Sequence, residues 1–188
     1  MNIIETNLKG VVIVEPKVFG DNRGWFMESW SKQKFEDAGL NYDFVQDNQS
    51  YSAHKGTFRG LHYQLNPMAQ AKLVRCTRGA LLDVAVDIRQ NSPQFAQWTA
   101  VMLTADNKRQ LMIPRGFAHG FLTLTDDVEI QYKADNYYAP KCDGNIRWDD
   151  PQIGLELPFT PEIFSDKDLK APTLAERIER GELNFIFE

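Results

Sequence analysis

One stretch decides how this chain folds: residues 57–64, with the sequence Thr-Phe-Arg-Gly-Leu-His-Tyr-Gln. The run is typical of a short β-strand, and Gly60 stands between a permanent cation, Arg59, and a titratable imidazole, His62. Strict alternation would send Arg59 and His62 to opposite faces of that strand. A bulge at Gly60 would turn both toward one pocket, so we predict a bulge there.

The composition is that of an ordinary globular protein. The chain has 188 residues, 43% hydrophobic and 25% charged, which predicts a single domain over residues 1–188 with a sizeable core. The net charge of −5 argues against a nucleic-acid partner. We find neither a signal-peptide pattern nor an apolar run of membrane-spanning length, so we expect a cytoplasmic protein without a membrane partner. Cys76 and Cys142 lack CxxC spacing and are expected to be free thiols.

Short β-strands separated by turns fill most of the chain. We predict strands at residues 10–14, 25–30, 44–50, 57–64, 72–76, 82–88, 98–104, 110–113, 120–125 and 128–134, with a turn at residues 19–24. This spacing is typical of an all-β barrel or sandwich. Two short helices complete the prediction. Ser31 caps one over residues 31–38, and a capping box of Thr173 and Glu176 opens another at about 173–181.

A turn of the form Pro-x-Gly-x-x-His leads into the strand at His119 and resembles the second motif of the cupin superfamily, a jelly-roll β-barrel. Metal-binding cupins usually carry His-x-His and a downstream Glu in their first motif. Here the corresponding run is His62-Tyr63-Gln64. Because an amide is a poor metal ligand compared with imidazole, we predict a pocket without a metal. Taken alone, His119 fits a structural hydrogen bond as well as a pocket role.

The remaining candidate residues leave alternatives open when they are taken singly. His62 alone fits a satisfied core histidine, but Arg59, Lys72 and Tyr132 make its neighbourhood unlike a typical core. Tyr132 shares its strand face with apolar residues and should point inward. Its hydroxyl is then either tied to the backbone or a proton donor that faces a ligand.

Three aspartates are expected at the surface by the same reasoning. Asp83 and Asp87 alternate against the apolar face of the strand at residues 82–88, which predicts a solvated sheet face. Asp168 lies in a polar stretch that predicts an exposed loop.

Several motifs, in order, resemble the dTDP-4-dehydrorhamnose 3,5-epimerase family. They are FGDNRGWFME at residues 19–28, FVQDN at 44–48, FRGLHYQ at 58–64, KLVR at 72–75, IPRGFAHGF at 113–121, YKA at 132–134 and NYY at 136–138. The resemblance covers nearly the whole chain and thins out from about Leu174. An ordered set of motifs is far more specific than the Pro-x-Gly-x-x-His turn alone.

The resemblance implies a cupin-type jelly roll, a homodimer, no metal, no redox cofactor and a dTDP-sugar substrate. The implied substrate, dTDP-4-dehydro-6-deoxy-glucose, has a ketone that acidifies the C–H bonds on both flanking carbons. Removing a proton gives an enolate, and returning one from the opposite face inverts that carbon. The reaction requires a base, an acid on the other face, and a cation at the oxygen.

The family's functional positions can be carried over residue by residue. His62 matches the base, Asp168 the carboxylate that orients it, Tyr132 the acid, and Lys72 the cation near the enolate oxygen. An imidazole with a reference pKa of about 6.5 accepts a proton near neutral pH. Asp83 resembles a buried carboxylate of the site, which replaces the solvated-face expectation for that residue. The positions that resemble substrate ligands, some of them reaching in from the partner subunit, are Arg23, Phe26, Glu28, Gln46, Asn48, Arg59, Asp83, His119, Tyr138, Asp143 and Lys167.

The chain departs from the family pattern at Asp143, where many members have Glu. Two other functions stay open at this point: an epimerase that acts at a single carbon of a related sugar, and a non-catalytic cupin that binds a sugar nucleotide. Retention of Tyr132 favours the double epimerase. A metal-dependent dioxygenase is disfavoured by Gln64.

Overall fold

The computed structural model describes residues 1–187, which form two antiparallel β-sheets, a separate β-hairpin and three short helices. The elements, in chain order, are β1 (Asn2–Glu5), β2 (Val12–Glu15), β3 (Val18–Asp21), β4 (Gly24–Met27), α1 (Lys32–Asp37), β5 (Gln46–Ser52), β6 (Phe58–Gln64), β7 (Lys72–Arg78), β8 (Ala80–Asp87), β9 (Trp98–Thr104), β10 (Gln110–Ile113), β11 (Phe117–Thr123), β12 (Val128–Ala134), β13 (Asp143–Asn145), α2 (Asp166–Leu169) and α3 (Leu174–Glu179).

The two sheets interleave strands that are distant in sequence. One sheet has six strands in the order β1-β2-β10-β7-β12-β5, and the other has five in the order β13-β6-β11-β8-β9. The hairpin β3–β4 belongs to neither sheet. The predicted all-β fold, a cupin-type jelly-roll barrel with a few short helices, is confirmed, and its strands form two facing sheets.

The space between the sheets is filled by apolar side chains that alternate along each strand. Val74, Leu111 and Ile130 from the six-stranded sheet pack in one cluster with Leu81 and Phe117 from the five-stranded sheet. Each of these residues is almost fully buried. This interior cluster occupies only part of the space between the sheets, and the rest is the pocket described below.

The outer face of the five-stranded sheet is also covered. Apolar residues of β6, β8 and β11 pack there against the C-terminal part of the chain, including Leu174, Leu183 and Phe185. A sheet buried on both faces has no solvated side. The expectation that Asp87 faces solvent is therefore wrong: its side chain is fully buried and accepts hydrogen bonds from Arg89 and Ser92.

The predicted bulge at Gly60 is confirmed by the pairing of β6 with β11. His62 pairs with His119 and Arg59 with Phe121, so three steps along β6 match two along β11. Gly60 has a φ of +141°, and a Cβ added there would lie 2.5 Å from the Cα of Gly120. Only glycine fits this close approach of two backbones.

Most predicted elements are found, and the errors concern short ones. The strands at 98–104, 110–113 and 128–134 are confirmed to the residue, as are the Ser31 cap and the capping box of α3. The residues predicted as a turn at 19–24 lie in the β3–β4 hairpin. The elements β1, β13 and α2 lie outside the predicted strands and helices. Both cysteines are free, as predicted. Among the helices described over residues 1–187, none has both the length and the apolar character needed to cross a membrane.

Candidate active site

A cavity of about 500 Å³ opens between the two sheets where the interior apolar cluster ends. The five-stranded sheet contributes Arg59, His62 and His119, and the six-stranded sheet contributes Lys72 and Tyr132 from the opposite side. The lining is completed by Asn48, Gln49, Ser50, Thr57, Phe58, Phe121, Ile130, Ile163, Phe164, Ser165 and Asp168.

His62 forms the first of two histidine–carboxylate pairs in this cavity. Its Nε2 lies 2.6 Å from Oδ1 of Asp168, on α2. When the carboxylate accepts from Nε2–H, Nδ1 remains as the nitrogen that can take a proton. Burial alone would raise the pKa of Asp168, but the hydrogen bond and charge of His62, with hydrogen bonds from Ser165 and the Gly60 amide, hold it below its usual value. The expectation that Asp168 lies in an exposed loop is wrong, since its side chain is 3% exposed.

His119 forms the second pair, with Asp83. Its Nε2 lies 2.7 Å from Oδ1 of Asp83, and both side chains are buried. The other carboxylate oxygen, Oδ2, is buried and has no hydrogen-bond partner among the described residues. The solvated-face expectation for Asp83 is therefore wrong, and the buried placement implied by the family resemblance agrees with the structure.

Lys72 and Tyr132 face the histidines from the six-stranded sheet. Burial lowers the pKa of the Lys72 ammonium to about 8, although the charge of Asp83 works in the opposite direction. The Lys72 Nζ lies 5.9 Å from the centre of the Tyr132 ring. Burial also raises the pKa of the Tyr132 phenol, while the charge of Arg59 opposes that shift. The phenol therefore stays protonated at neutral pH and is able to donate.

A polar rim beside the cavity contains five of the predicted ligands: Gln46, Asn48, Tyr138, Asp143 and Lys167. Gln46 donates to Asn48 Oδ1 over 2.9 Å and accepts from the backbone N–H of Tyr138 over 3.1 Å. The Lys167 ammonium lies 2.5 Å from Oδ2 of Asp143. Asp143 therefore occupies a rim position despite its shorter side chain.

Three predicted ligands lie away from this cavity in the same chain. Arg23 and Phe26 line a different concave surface on the β3–β4 hairpin, and Arg23 pairs with Asp21. Glu28 pairs with Lys34 of α1 at 2.8 Å. The structure thus brings the four proposed catalytic residues together but leaves these three apart from them.

Ser165 is a residue of the site that the sequence analysis did not single out. Its Oγ accepts from the backbone N–H of Asp168 over 3.1 Å and caps α2. The spacing Ser165-x-x-Asp168 follows the capping-box pattern, which is a signal that could have revealed both the helix and the cap. Over residues 1–187, no group of three or more His, Cys, Asp or Glu side chains is arranged to hold a metal ion.

The fold and the pocket together define a cupin-type β-sandwich with a ligand cavity between its sheets. The model of the dTDP-4-dehydrorhamnose 3,5-epimerase family matches residues 5–176. The chain belongs to that family, whose members are isomerases.

Similar proteins agree with this assignment along almost the whole chain. A dTDP-4-dehydrorhamnose 3,5-epimerase from Salmonella typhimurium is 55% identical over 177 residues, which cover 93% of this chain and 96% of the relative. The crystal structure of the Bacillus anthracis enzyme with TDP and PPi bound is 48% identical, covers 92% of this chain and 98% of its own, and has a TM-score of 0.89. A Legionella pneumophila enzyme in complex with dTDP-4-keto-L-rhamnose is 43% identical, covers 100% and 99%, and has a TM-score of 0.93.

Proposed function

We propose that this protein epimerises dTDP-4-dehydro-6-deoxy-D-glucose at carbons 3 and 5, giving dTDP-4-dehydro-L-rhamnose for dTDP-L-rhamnose biosynthesis. Family membership supports this activity, as does the Legionella relative whose complex contains dTDP-4-keto-L-rhamnose. One observation carries the proposal: His62 and Tyr132 reach the same cavity from opposite sheets. A base and an acid on opposite sides of a sugar ring are what inversion of a carbon requires.

The first step is removal of a proton from a carbon beside the ketone. His62 takes this proton, and Asp168 holds the imidazole in one orientation and balances the charge that it gains. The electron pair of the C–H bond moves into the ring, and the ketone oxygen becomes an enolate oxygen.

Lys72 stabilises that enolate. Its ammonium stands in a partly desolvated wall of the cavity, where a charge acts more strongly on the developing oxyanion than it would in water. His119 is proposed as a second polar contact to the sugar, held in place by Asp83.

Tyr132 completes the inversion. Its phenol gives a proton to the carbon from the side opposite His62, and exchange with solvent then restores the starting protonation of both residues. The same sequence at the second carbon gives the doubly inverted sugar. Two proton transfers leave the oxidation state unchanged, so the balanced reaction needs no redox cofactor.

The dTDP part of the substrate is proposed to bind along the polar rim. Arg59 and Lys167 supply positive charge for the diphosphate. Gln46, Asn48 and Tyr138, together with Asp143, are proposed as contacts to the nucleotide. A cytoplasmic location remains a prediction.

A homodimer is part of this proposal. The hairpin β3–β4 exposes Phe19, Trp25 and Phe26 to between 53% and 68%. Exposed aromatic residues grouped on one hairpin are typical of an interaction surface. Since Arg23, Phe26 and Glu28 lie away from the cavity of their own chain, we propose that they serve the site of a second copy.

A mixing experiment tests the shared site. Arg23→Ala and His62→Asn chains are purified separately, then mixed under conditions that allow subunit exchange. If Arg23 serves the partner's site, mixed dimers contain one intact site and about a quarter of wild-type turnover returns. If the mixture stays as inactive as its components, Arg23 does not act across subunits.

Turnover in deuterated water tests the reaction itself. The wild-type protein should incorporate deuterium from solvent at both carbons that flank the ketone. Tyr132→Phe should still exchange a proton but accumulate little doubly inverted product. Label at one carbon would replace the double epimerase with a single-position epimerase, and absence of label would remove both enzymes and leave a sugar-nucleotide binder.

A further inference from the structure

The short helix α2 carries two residues of the proposed site but has little of its own to hold it in place. Its residues Lys167 and Asp168 are neighbours, one at the rim and one paired with His62. A helix of four residues is not stable by itself in water. Of the four, all of which the structure describes, only Asp168 is buried, and Leu169 is 65% exposed. The position of α2 therefore depends on its surroundings: Phe164, just before the helix, packs against Phe58 and Trp148, and polar contacts hold the helix itself.

One such contact comes from Asn145, at the end of β13. Asn145 pairs with His62 in the sheet, and its side chain is buried. Its Nδ2 donates to the backbone carbonyl of Lys167 over 3.0 Å. This bond joins the strand pair that carries the base to the helix that carries the carboxylate.

Arg177 fixes the orientation of the Asn145 amide. On α3, its Nη2 donates to Asn145 Oδ1 over 2.8 Å, and its Nε donates to the Asn145 backbone carbonyl over 2.9 Å. Because a guanidinium only donates, the amide oxygen must face Arg177 and the amide nitrogen must face α2. Glu182 accepts from Nη1 of Arg177 and holds the guanidinium from its other side.

We infer that Arg177 and Asn145 are positioning residues that connect the C-terminal helix α3 to the active site. They act through α2: Arg177 orients the Asn145 amide, Asn145 holds the Lys167 carbonyl, and the helix sets the place of the Asp168 carboxylate against His62. Neither side chain lines the cavity. The inference rests on the proposed epimerase activity for its kinetic consequences, but not for its structural ones.

Asn145→Ala is the direct test, with Asn184→Ala as its matched control. Asn184 also ties the C-terminal segment to the barrel, through hydrogen bonds with Asn66, but it has no bond to α2. We expect kcat to fall by about tenfold to a hundredfold in Asn145→Ala, the range for a small misplacement of a catalytic group. Asn184→Ala should stay within about twofold of wild type.

Hydrogen exchange supplies a readout that does not depend on turnover. The backbone amides of Leu169 and Lys170 bond to the carbonyls of Ser165 and Asp166. In Asn145→Ala, these amides should exchange faster by mass spectrometry of peptides that cover residues 162–170. Amides of β8 and β11 should exchange as in wild type. Equal acceleration throughout the chain would mean a general loss of stability and would overturn the positioning role.

Arg177→Lys covers the case in which Asn145→Ala does not fold. Lysine keeps the positive charge for Glu182 but cannot reproduce the two-pronged contact with Asn145. It should show faster exchange confined to residues 162–170 and a smaller loss of kcat. Wild-type exchange and kcat in a folded Arg177→Lys protein would overturn the inference. If the wild type itself shows no turnover, the proposed function fails, and the exchange experiment still decides the role of Asn145 and Arg177.

Discussion

The two histidine–carboxylate pairs have nearly equal geometry but very different surroundings. The N···O distances are 2.6 Å for His62–Asp168 and 2.7 Å for His119–Asp83, and the two histidines pair directly across β6 and β11. The His62 side chain is 33% exposed and that of His119 is 9% exposed. The same pair of residue types thus occurs once at an open position and once at a closed one.

The source of the carboxylate differs as well. Asp83 belongs to β8, which pairs with β11 over seven residues, so the sheet itself fixes its position. Asp168 comes from α2, more than a hundred residues away from His62 in sequence, where side-chain hydrogen bonds help to position it. The difference teaches that the more accessible His62 is suited to proton transfer and exchange with solvent. The buried His119–Asp83 pair is suited to a fixed contact.

The largest expected effect separates the two histidines directly. His62→Asn should lower turnover by about 10²- to 10⁴-fold because it removes the proposed base. His119→Asn should cost less, about tenfold to a hundredfold, since it removes a contact and not the base. The measurement is kcat and KM for both variants, with calorimetric titration of dTDP as a check on binding. Equal losses in kcat would break the comparison.

Lys72→Met should lower turnover by about 10²- to 10³-fold, corresponding to about 2.7–4 kcal/mol of lost oxyanion stabilisation. Its melting temperature should be equal to or higher than that of wild type, because a desolvated charge is removed from the cavity wall. Lys9→Met, at an exposed position, serves as the control. A strongly lowered melting temperature in Lys72→Met would show that the lysine stabilises the fold.

The pH dependence follows from the pKa of Lys72, which burial lowers to about 8. In the proposed mechanism the ammonium is the acting form, and it is present below that pH and is lost as the pH rises. We expect kcat/KM to fall above about pH 8, approaching tenfold per pH unit. Lys72→Met should lack this alkaline decline in its residual activity. A decline that persists in the variant would assign the titration to another group.

The smallest expected effect concerns the cap of α2. Ser165→Ala removes the acceptor for the Asp168 amide, which should cost about 1 kcal/mol and lower kcat about fivefold. Ser165→Thr retains a hydroxyl oxygen and should restore most of the activity. Failure of threonine to rescue would mean that Ser165 acts in the cavity by some other contact.

Much of the architecture could be predicted from the sequence because apolar and polar residues alternate regularly along the longer strands. The bulge at Gly60 could be predicted since Arg59 and His62 have the wrong spacing to share a face without it. The short elements β13 and α2 could not be predicted from such alternation. Three or four residues contain no periodic signal, and their existence depends on partners elsewhere in the fold.

The burial of the aspartates could not be derived from periodicity, for a specific reason. A solvated face is expected for Asp83 and Asp87 because they alternate with Val84 and Val86, but those valines pack on the outer face under the C-terminal segment. The two aspartates lie on the opposite face of β8, which Leu81 and Ala85 share with the interior between the sheets. For Asp87, the nearby Arg89 is a local signal of an ion pair. For Asp168 the partner is too distant in sequence for any local signal, and only the family resemblance indicated it.

The contact between Gly60 and Gly120 limits where this protein can change. An added Cβ at Gly60 meets the Gly120 backbone at 2.5 Å, and one at Gly120 meets the Arg59 carbonyl oxygen at 2.9 Å. Any side chain here would push apart the strands that carry both histidines. Engineering for new sugar substrates should therefore keep Gly60 and Gly120 unchanged. Substitutions should instead be placed in the loops, the β3–β4 hairpin and α2 around the cavity mouth.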